Sequence, residues 1–372
     1  MKKIKFYLAW YMYSFLFFIT HIDRIQKHKN KVRIKIKALN NKKATDCDFQ
    51  QLSYVENSAR IKIIIIGRLK EGDSIGNHTT AFLNEADFST NDIYVYDEYE
   101  KKLYRMKDRW NKRILWHGDI CNFDCHDFDI LFFLNVMDYG NDDNYIVRNL
   151  PKRMPLISYT YSVFEGTIPP KNWVNIINIY FDALIVPIQS LKDIFIKNGC
   201  EKPVFVLPVA LDLNKHFSLE QLKSSDVFSF GFSGTLDPRK NPLKIIQAFE
   251  KAFSKDEPVR LLLHSRYKNK SAYAQEFMKE LTQSNDDRII FTNEMFSDEE
   301  HLAWLKNIDA YVFPSQGEGY SVTPREALAC GKIVILSDIP AHKDITSLGC
   351  QEGIYFCHAD IERPSIHTSL NN

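Results

Sequence analysis

A chain of 372 residues is long enough for two domains with cores of their own, and 45% hydrophobic with 26% charged residues is a globular composition. The formal net charge of +1 gives no case for nucleic acid or for a highly acidic partner. The seven cysteines (Cys47, Cys121, Cys125, Cys200, Cys330, Cys350 and Cys357) form no Cys-x-x-Cys pair and no zinc spacing, which fits a reducing compartment.

In chain order, the first feature is an uncharged aromatic run, Phe6 to Thr20, between Lys2, Lys3 and Lys5 and a basic stretch from Arg24 to Lys37. It is short for a span, which needs about 20 residues. No small-residue cleavage site follows it. An apolar segment beside a basic one reads as a membrane-interface anchor or a marginal span, and if it spans, the heavier basic flank keeps the rest of the chain cytoplasmic, at the inner face of the membrane. A buried first helix is the other reading of this segment. Residues 1–57 are set apart on this basis.

Residues 58–214 alternate strand and helix signals. Ile61–Gly67 is a continuous β-branched run of the kind found in central parallel strands. A loop with Gly72 and Gly76 follows, then a helix from about Asn77 to Asp87. Further strands are expected at Ile93–Tyr96, Ile130–Asn135, Leu156–Tyr161, Ala183–Pro187 and Val204–Pro208, with helices at Asn172–Tyr180 and Ser190–Asn198. The polar stretch 215–226 reads as a linker. In residues 227–372 the alternation restarts, with strands at Val227–Ser233, Val259–Ser265, Arg288–Thr292, Ala310–Pro314 and Ile333–Ser337. Helices are expected at Pro242–Phe253, Tyr273–Ser284, Asp298–Asn307 and Pro324–Ala329. Leu243, Ile246, Phe249 and Phe253 recur at helical spacing and predict one buried face. Two such series define two doubly wound, Rossmann-like α/β domains, with ligands expected in a central cleft at the carboxyl ends of the strands.

Two segments carry chemistry. In Gln316-Gly-Glu-Gly-Tyr-Ser-Val-Thr-Pro-Arg-Glu-Ala-Leu-Ala-Cys-Gly331, seven residues separate Glu318 from Glu326. Thr323, Pro324 and Glu326 read as a helix cap, first helical residue and capping-box acid, so Glu326 has a structural explanation of its own. Glu318 has none, and the flanking Gly317 and Gly319 suit close backbone approach to a ligand. In Gly231-Phe-Ser-Gly-Thr-Leu-Asp-Pro-Arg-Lys-Asn-Pro242, Arg239 and Lys240 precede a helix start, where cations work against the helix dipole unless an anion is bound. Solvated loop charges are the alternative. Glu165, after the Leu156–Tyr161 strand, is placed either to meet an acceptor or to start a helix. Asp127-Phe-Asp129 matches a short metal-binding pattern, but polar residues at a strand entry explain it, and no metal is assigned. His117 reads as a surface or core-edge histidine.

Together these segments resemble the retaining GT-B glycosyltransferases of family 4, the group 1 transferases. The resemblance spans roughly residues 60 to 360 and is densest from 229 to 340, where Ser233–Pro242, Glu318–Gly331 and Ile333–Pro340 match family segments. Phe164–Trp173 and Val186–Ser190 look like first-domain counterparts. The resemblance implies transfer of a sugar from a nucleoside diphosphate donor to a glycan or lipid-linked acceptor in cell-surface polysaccharide or lipopolysaccharide synthesis, with retained configuration and no cofactor. It implies that Glu318 is the catalytic-site acid on the donor sugar, Glu326 the ribose contact, and Arg239 and Lys240 the diphosphate contacts. Gly319, Tyr320, Val322, Thr323 and Gly76 would line the donor. Thr235 stands where many relatives have arginine, and Leu134–Asn135 where many have histidine. The chain also stops soon after Asp360, where relatives continue into further helices. A catalytically silent partner subunit of another transferase, or a sugar-nucleotide epimerase, are the competing classes.

Overall fold

The computed structural model describes residues 60–69, 74–134, 149–209, 211, 216, 226–266, 271–346 and 351–358. The apolar and basic N-terminal segment, most of the expected linker and the residues from Ala359 onward lie outside them.

The β-branched run forms β1 (Ile61–Gly67), whose Ile64, Ile65 and Ile66 are fully buried because layers cover both faces of the sheet. It is followed by α1 (Ser74–Asn84), β2 (Asn91–Asp97), β3 (Lys102–Met106), β4 (Lys112–His117), β5 (Ile130–Phe133), β6 (Ile157–Tyr161), α2 (Lys171–Tyr180), β7 (Ala183–Val186), α3 (Gln189–Lys197) and β8 (Val204–Val206). These strands build an eight-stranded sheet of order β4-β3-β2-β1-β5-β6-β7-β8. All neighbours are parallel except β2–β3 and β3–β4, an antiparallel hairpin that closes one edge.

The second series runs β9 (Phe228–Ser233), α4 (Pro242–Ala252), β10 (Val259–His264), α5 (Ala272–Ser284), β11 (Ile289–Thr292), α6 (Asp298–Lys306), β12 (Ala310–Phe313), α7 (Val322–Ala329), β13 (Ile333–Ser337), α8 (Pro340–Thr346) and β14 (Ile354–Cys357). Its six strands are all parallel in the order β11-β10-β9-β12-β13-β14. This is the doubly wound arrangement, and its order reverses between β9 and β12. The switch point opens where the loops after β9 and β12 leave the sheet, and those loops carry Arg239, Lys240 and Glu318.

Each sheet has its own core. Phe133, Ile177, Leu184 and Phe195 meet in the first, and Phe232, Ile246, Phe277, Tyr311 and Leu336 in the second. Ile245, Ile246 and Phe249 are the buried face of α4, while Leu243 and Phe253 are partly buried at its margins. Fully burying an Ile or Phe stabilises by about 1.5–3 kcal/mol. Ala341 of α8 packs into the first core, so the second series also covers the first sheet. Ser190 at the start of α3 donates from its backbone N–H (3.1 Å) and from its hydroxyl to Asp344 of α8.

Four elements go beyond the expected set: the strands β3 and β4, α8 and β14. Two helix starts also differ. Gly76 lies in the first turn of α1 and is buried, rather than in the loop before it. Helix α7 begins at Val322, two residues earlier than expected, because Ser321 turns the chain in the left-handed region (φ 61°, ψ 71°) and acts as the N-cap without a side-chain bond. Among the described residues no helix is long and apolar enough to cross a membrane.

Candidate functional site

Glu318 sits at the carboxyl end of β12 with 8% of its side chain exposed. Its Oε1 accepts from Arg239 Nη1 at 2.7 Å, Lys240 Nζ at 3.0 Å and the Ser315 hydroxyl at 2.7 Å. Burial alone would raise the carboxyl; Lys240, Arg239 and Ser315 outweigh it and hold Glu318 below the ordinary glutamate value. A buried carboxylate is tolerable only with such partners, and removing one of them leaves an uncompensated charge.

The two cations stand on a short 3-10 turn, Pro238–Lys240, capped by Asp237, whose carboxylate accepts from the Arg239 backbone at 2.8 Å. Asn241 follows at φ 57° without a side-chain cap, so it turns the chain rather than capping α4 by side chain. Lys240 Nζ also lies 4.9 Å from the centre of the Phe313 ring. Arg239 reaches further. Its Nη1 donates to the Gly317 carbonyl, and its Nη2 lies 2.9 Å from Glu165 Oε1 in the loop after β6. Although half of the Glu165 side chain meets solvent, desolvation raises its carboxyl, Arg239 draws it back and Glu318 adds to the rise; the net direction is up.

The glycines around Glu318 serve a contact other than the expected one. A Cβ on Gly317 would stand 2.2 Å from the Glu165 carbonyl oxygen, and one on Gly319 would stand 2.9 Å from Val163 Cβ. Their close approach is to the loop after β6, so they bring the carboxyl ends of both sheets together. Tyr320 adds a bond from its hydroxyl to the Val209 carbonyl at 3.2 Å. Glu165, Ile188, Ser190, Glu318 and Pro340 line a cavity between these loops.

Glu326 is not a capping-box acid. With α7 starting at Val322, Thr323 is its second residue and Glu326 its fifth, beyond reach of the cap. The same Ser/Thr-x-x-Glu pattern does form the box at the start of α6, where the Ser297 hydroxyl accepts from Glu300 N–H (3.2 Å) and Glu300 accepts from Ser297 N–H (2.7 Å). Glu326 lies 3.9 Å from His301 Nδ1 instead. Burial lowers His301 to about 4, so its ring is neutral at pH 7 and Glu326 gains no ion pair from it. Next to this pair, the His301 ring is parallel to Trp304, and His264 lies flat on Phe296 with ring centres 3.9 Å apart.

Of the residues singled out above, Glu165, Arg239, Lys240 and Glu318 are joined by direct contacts, with Gly319 and Tyr320 packed beside them. Val322, Thr323 and Glu326 open α7 on the next face, and Gly76 lies on α1, which leaves the carboxyl edge of the first sheet. Asp129 is at the other edge, accepting from Lys62 N–H at 2.9 Å, and His117 is exposed at the end of β4. Sequence reasoning missed Ser315 and the buried His342, whose Nδ1 meets the Ser337 carbonyl at 2.8 Å while the Ser337 hydroxyl donates to the Ser315 carbonyl. Small hydroxyls carry no spacing signal that would have revealed them.

With two parallel-type sheets joined at their carboxyl edges, the fold is that of the GT-B transferases. Residues 228–363 match the family model described as glycosyl transferases group 1. The chain is similar in structure to a glycosyltransferase from Rickettsia africae (TM-score 0.59, 11% identity, 81% of this chain and 85% of that one). It is also similar to Anabaena HepE in complex with UDP and glucose (TM-score 0.51, 14% identity, 77% and 83%). Over 66 residues it is 33% identical to the lipopolysaccharide core biosynthesis mannosyltransferase LpsB of Rhizobium meliloti, a match that spans 18% of each chain.

Proposed function

We propose that this protein is a retaining, hexosyltransferase-type glycosyltransferase of family 4. It would move a sugar from a nucleoside diphosphate donor to a glycan or lipid-linked acceptor in cell-surface polysaccharide or lipopolysaccharide synthesis at the inner face of a membrane. One observation carries the reading: Arg239, Lys240 and Glu318 converge at the switch point of the second sheet, facing Glu165 of the first. A departing diphosphate gathers negative charge, and two fixed cations beside it stabilise that charge without a metal. Glu318, kept ionised, can accept from sugar hydroxyls. On this reading Glu326 on the adjoining helix takes the ribose, and the N–H groups of Val322 and Thr323 take phosphate oxygens. The group 1 family match, the likeness to LpsB and the UDP-bound HepE structure support the donor class.

The test is a panel of uridine and guanosine diphosphate sugars scored by thermal stabilisation and by transfer to membrane glycan extract, in the presence of EDTA. A donor at 100 times its dissociation constant adds about 2.7 kcal/mol. Lys240→Ala should weaken that donor by roughly ten- to hundredfold, the worth of one hydrogen bond between charged groups. Stabilisation by donors without any transfer, together with normal glycan synthesis in cells carrying Glu318→Gln, would establish the silent-subunit class instead.

A further inference from the structure

The β3–β4 hairpin has no part in the site just described. Its tip and second strand are exposed from Lys107 to Leu115 without a break. Trp110 in the turn is 63% exposed, and Ile114 and Leu115 on the edge strand are 54% and 46% exposed, an unusual grouping of large apolar side chains on one hairpin. The overlapping window 105–113 carries Arg105, Lys107, Arg109, Lys112 and Arg113 against the single acid Asp108. Arg105 and Arg113 face each other directly across the strands, an arrangement that destabilises a hairpin in isolation. Arg105 is relieved by Asp92 at 3.3 Å, while Lys107, Lys112 and Arg113 have no ion pair among the described residues. Asp108 shapes the tip by accepting from the N–H groups of Trp110 (2.9 Å) and Asn111 (2.8 Å), which projects the indole outward.

Strand direction locates this patch. Met106 is in register with Ile93, and Ile61 with Asn91, so the tip stands at the amino edge of the first sheet, the edge at which the chain enters β1. Arg60, the first described residue, shares Asp92 with Arg105 (3.1 and 3.3 Å). The preceding residues include the uncharged aromatic run Phe6–Thr20 and its basic flank.

We infer that the β3–β4 hairpin is a membrane-contact surface: Trp110, Ile114 and Leu115 enter the interface of an anionic bilayer, and Lys107, Arg109, Lys112 and Arg113 meet its headgroups. An aromatic ring between cations is the side-chain set of the interfacial belt. Charge selects the partner, since each basic residue near an anionic leaflet strengthens binding about fivefold. The inference stands whether or not the protein transfers sugars.

The experiment uses the full chain and vesicles of phosphatidylcholine with or without phosphatidylglycerol. Lys112→Glu with Arg113→Glu should lower the fraction co-sedimenting with phosphatidylglycerol vesicles at least tenfold in partition coefficient, with circular dichroism unchanged. Brominated phospholipid should quench tryptophan emission of the parent more than that of Trp110→Phe, which separates Trp110 from Trp10, Trp116, Trp173 and Trp304. Equal partition and equal quenching overturn the inference. So does a charge-reversal variant that loses only self-association in gel filtration, or only binding to a random RNA, while keeping its vesicle partition.

Discussion

Seven residues separate Glu318 in its loop from Glu326 in its helix, and the two carboxylates stand in opposite surroundings. Glu318 is immersed in charge, with two cations and a hydroxyl on one oxygen; it ties the loops after β9 and β12 together, and its partner Arg239 carries the link on to Glu165 after β6. Glu326 stands at the fifth position of α7, 3.9 Å from a neutral imidazole and past the helix cap at Ser321. A carboxylate can therefore be tied into the fold by buried cations or stand outside such a cluster. The first kind is costly to alter in any assay, and the second only where the ligand is present.

The largest expected effect follows from Glu318→Gln. It should lower turnover on the order of a hundredfold, the usual loss for one electrostatic contact at a reacting centre. It should also lower stability by about 2 kcal/mol, because Arg239 and Lys240 lose their carboxylate. Steady-state kinetics and urea unfolding read the two effects. A stability loss without a rate loss would make Glu318 a purely structural acid.

Gly317→Ala tests the same loop from its backbone. The new methyl would overlap the Glu165 carbonyl, so overpacking should cost about 1–3 kcal/mol in urea unfolding. Unchanged stability would mean that the two loops separate freely.

Glu326→Gln should leave stability within about 0.5 kcal/mol of the parent, since no cap is lost. It should weaken donor binding roughly tenfold, as expected for one hydrogen bond to a charged group. A loss of about 1 kcal/mol in unfolding without donor would restore the capping role. Ser297→Ala supplies the contrast, because its box does form and should cost about that amount.

The smallest effect is in the pH profile. Glu318 is depressed on folding, so its contribution is present above the ordinary glutamate value of 4.5 and is lost as pH falls through the lower folded value. Glu165 is raised on folding, so its contribution is present below 4.5 and is lost as pH rises through the higher folded value. Glu318→Gln should therefore flatten the acid limb of the stability curve, and Glu165→Gln should remove an opposing drift above it.

Much of this architecture was legible because burial on both faces demands uninterrupted apolar runs, as in Ile61–Gly67 and Ile333–Ser337. The β3–β4 hairpin was not, because β4 has no buried face to impose alternation. The start of α7 was misread because Thr-Pro-x-Glu has the chemistry of a cap, whereas a left-handed Ser321 starts the helix earlier. The importance of Glu318 was visible from its flanking glycines, but its ties were not. Its cations lie 78 and 79 residues away, and only the switch point between β9 and β12 brings them to it. The partner of those glycines was missed for the same reason, since the Glu165 loop belongs to the other sheet.

The direction of β1 has a consequence for the acceptor. The hairpin tip and the chain entry are at one end of this strand, and the Glu165 loop stands at the other edge of the same sheet, about 20 Å away for a strand of seven residues. A protein resting on lipid through the first edge holds its cleft well above the headgroups. On the proposed function and the proposed membrane contact taken together, an acceptor hydroxyl has to be carried up to that height, which favours a glycan already grown outward from its lipid over the bare lipid.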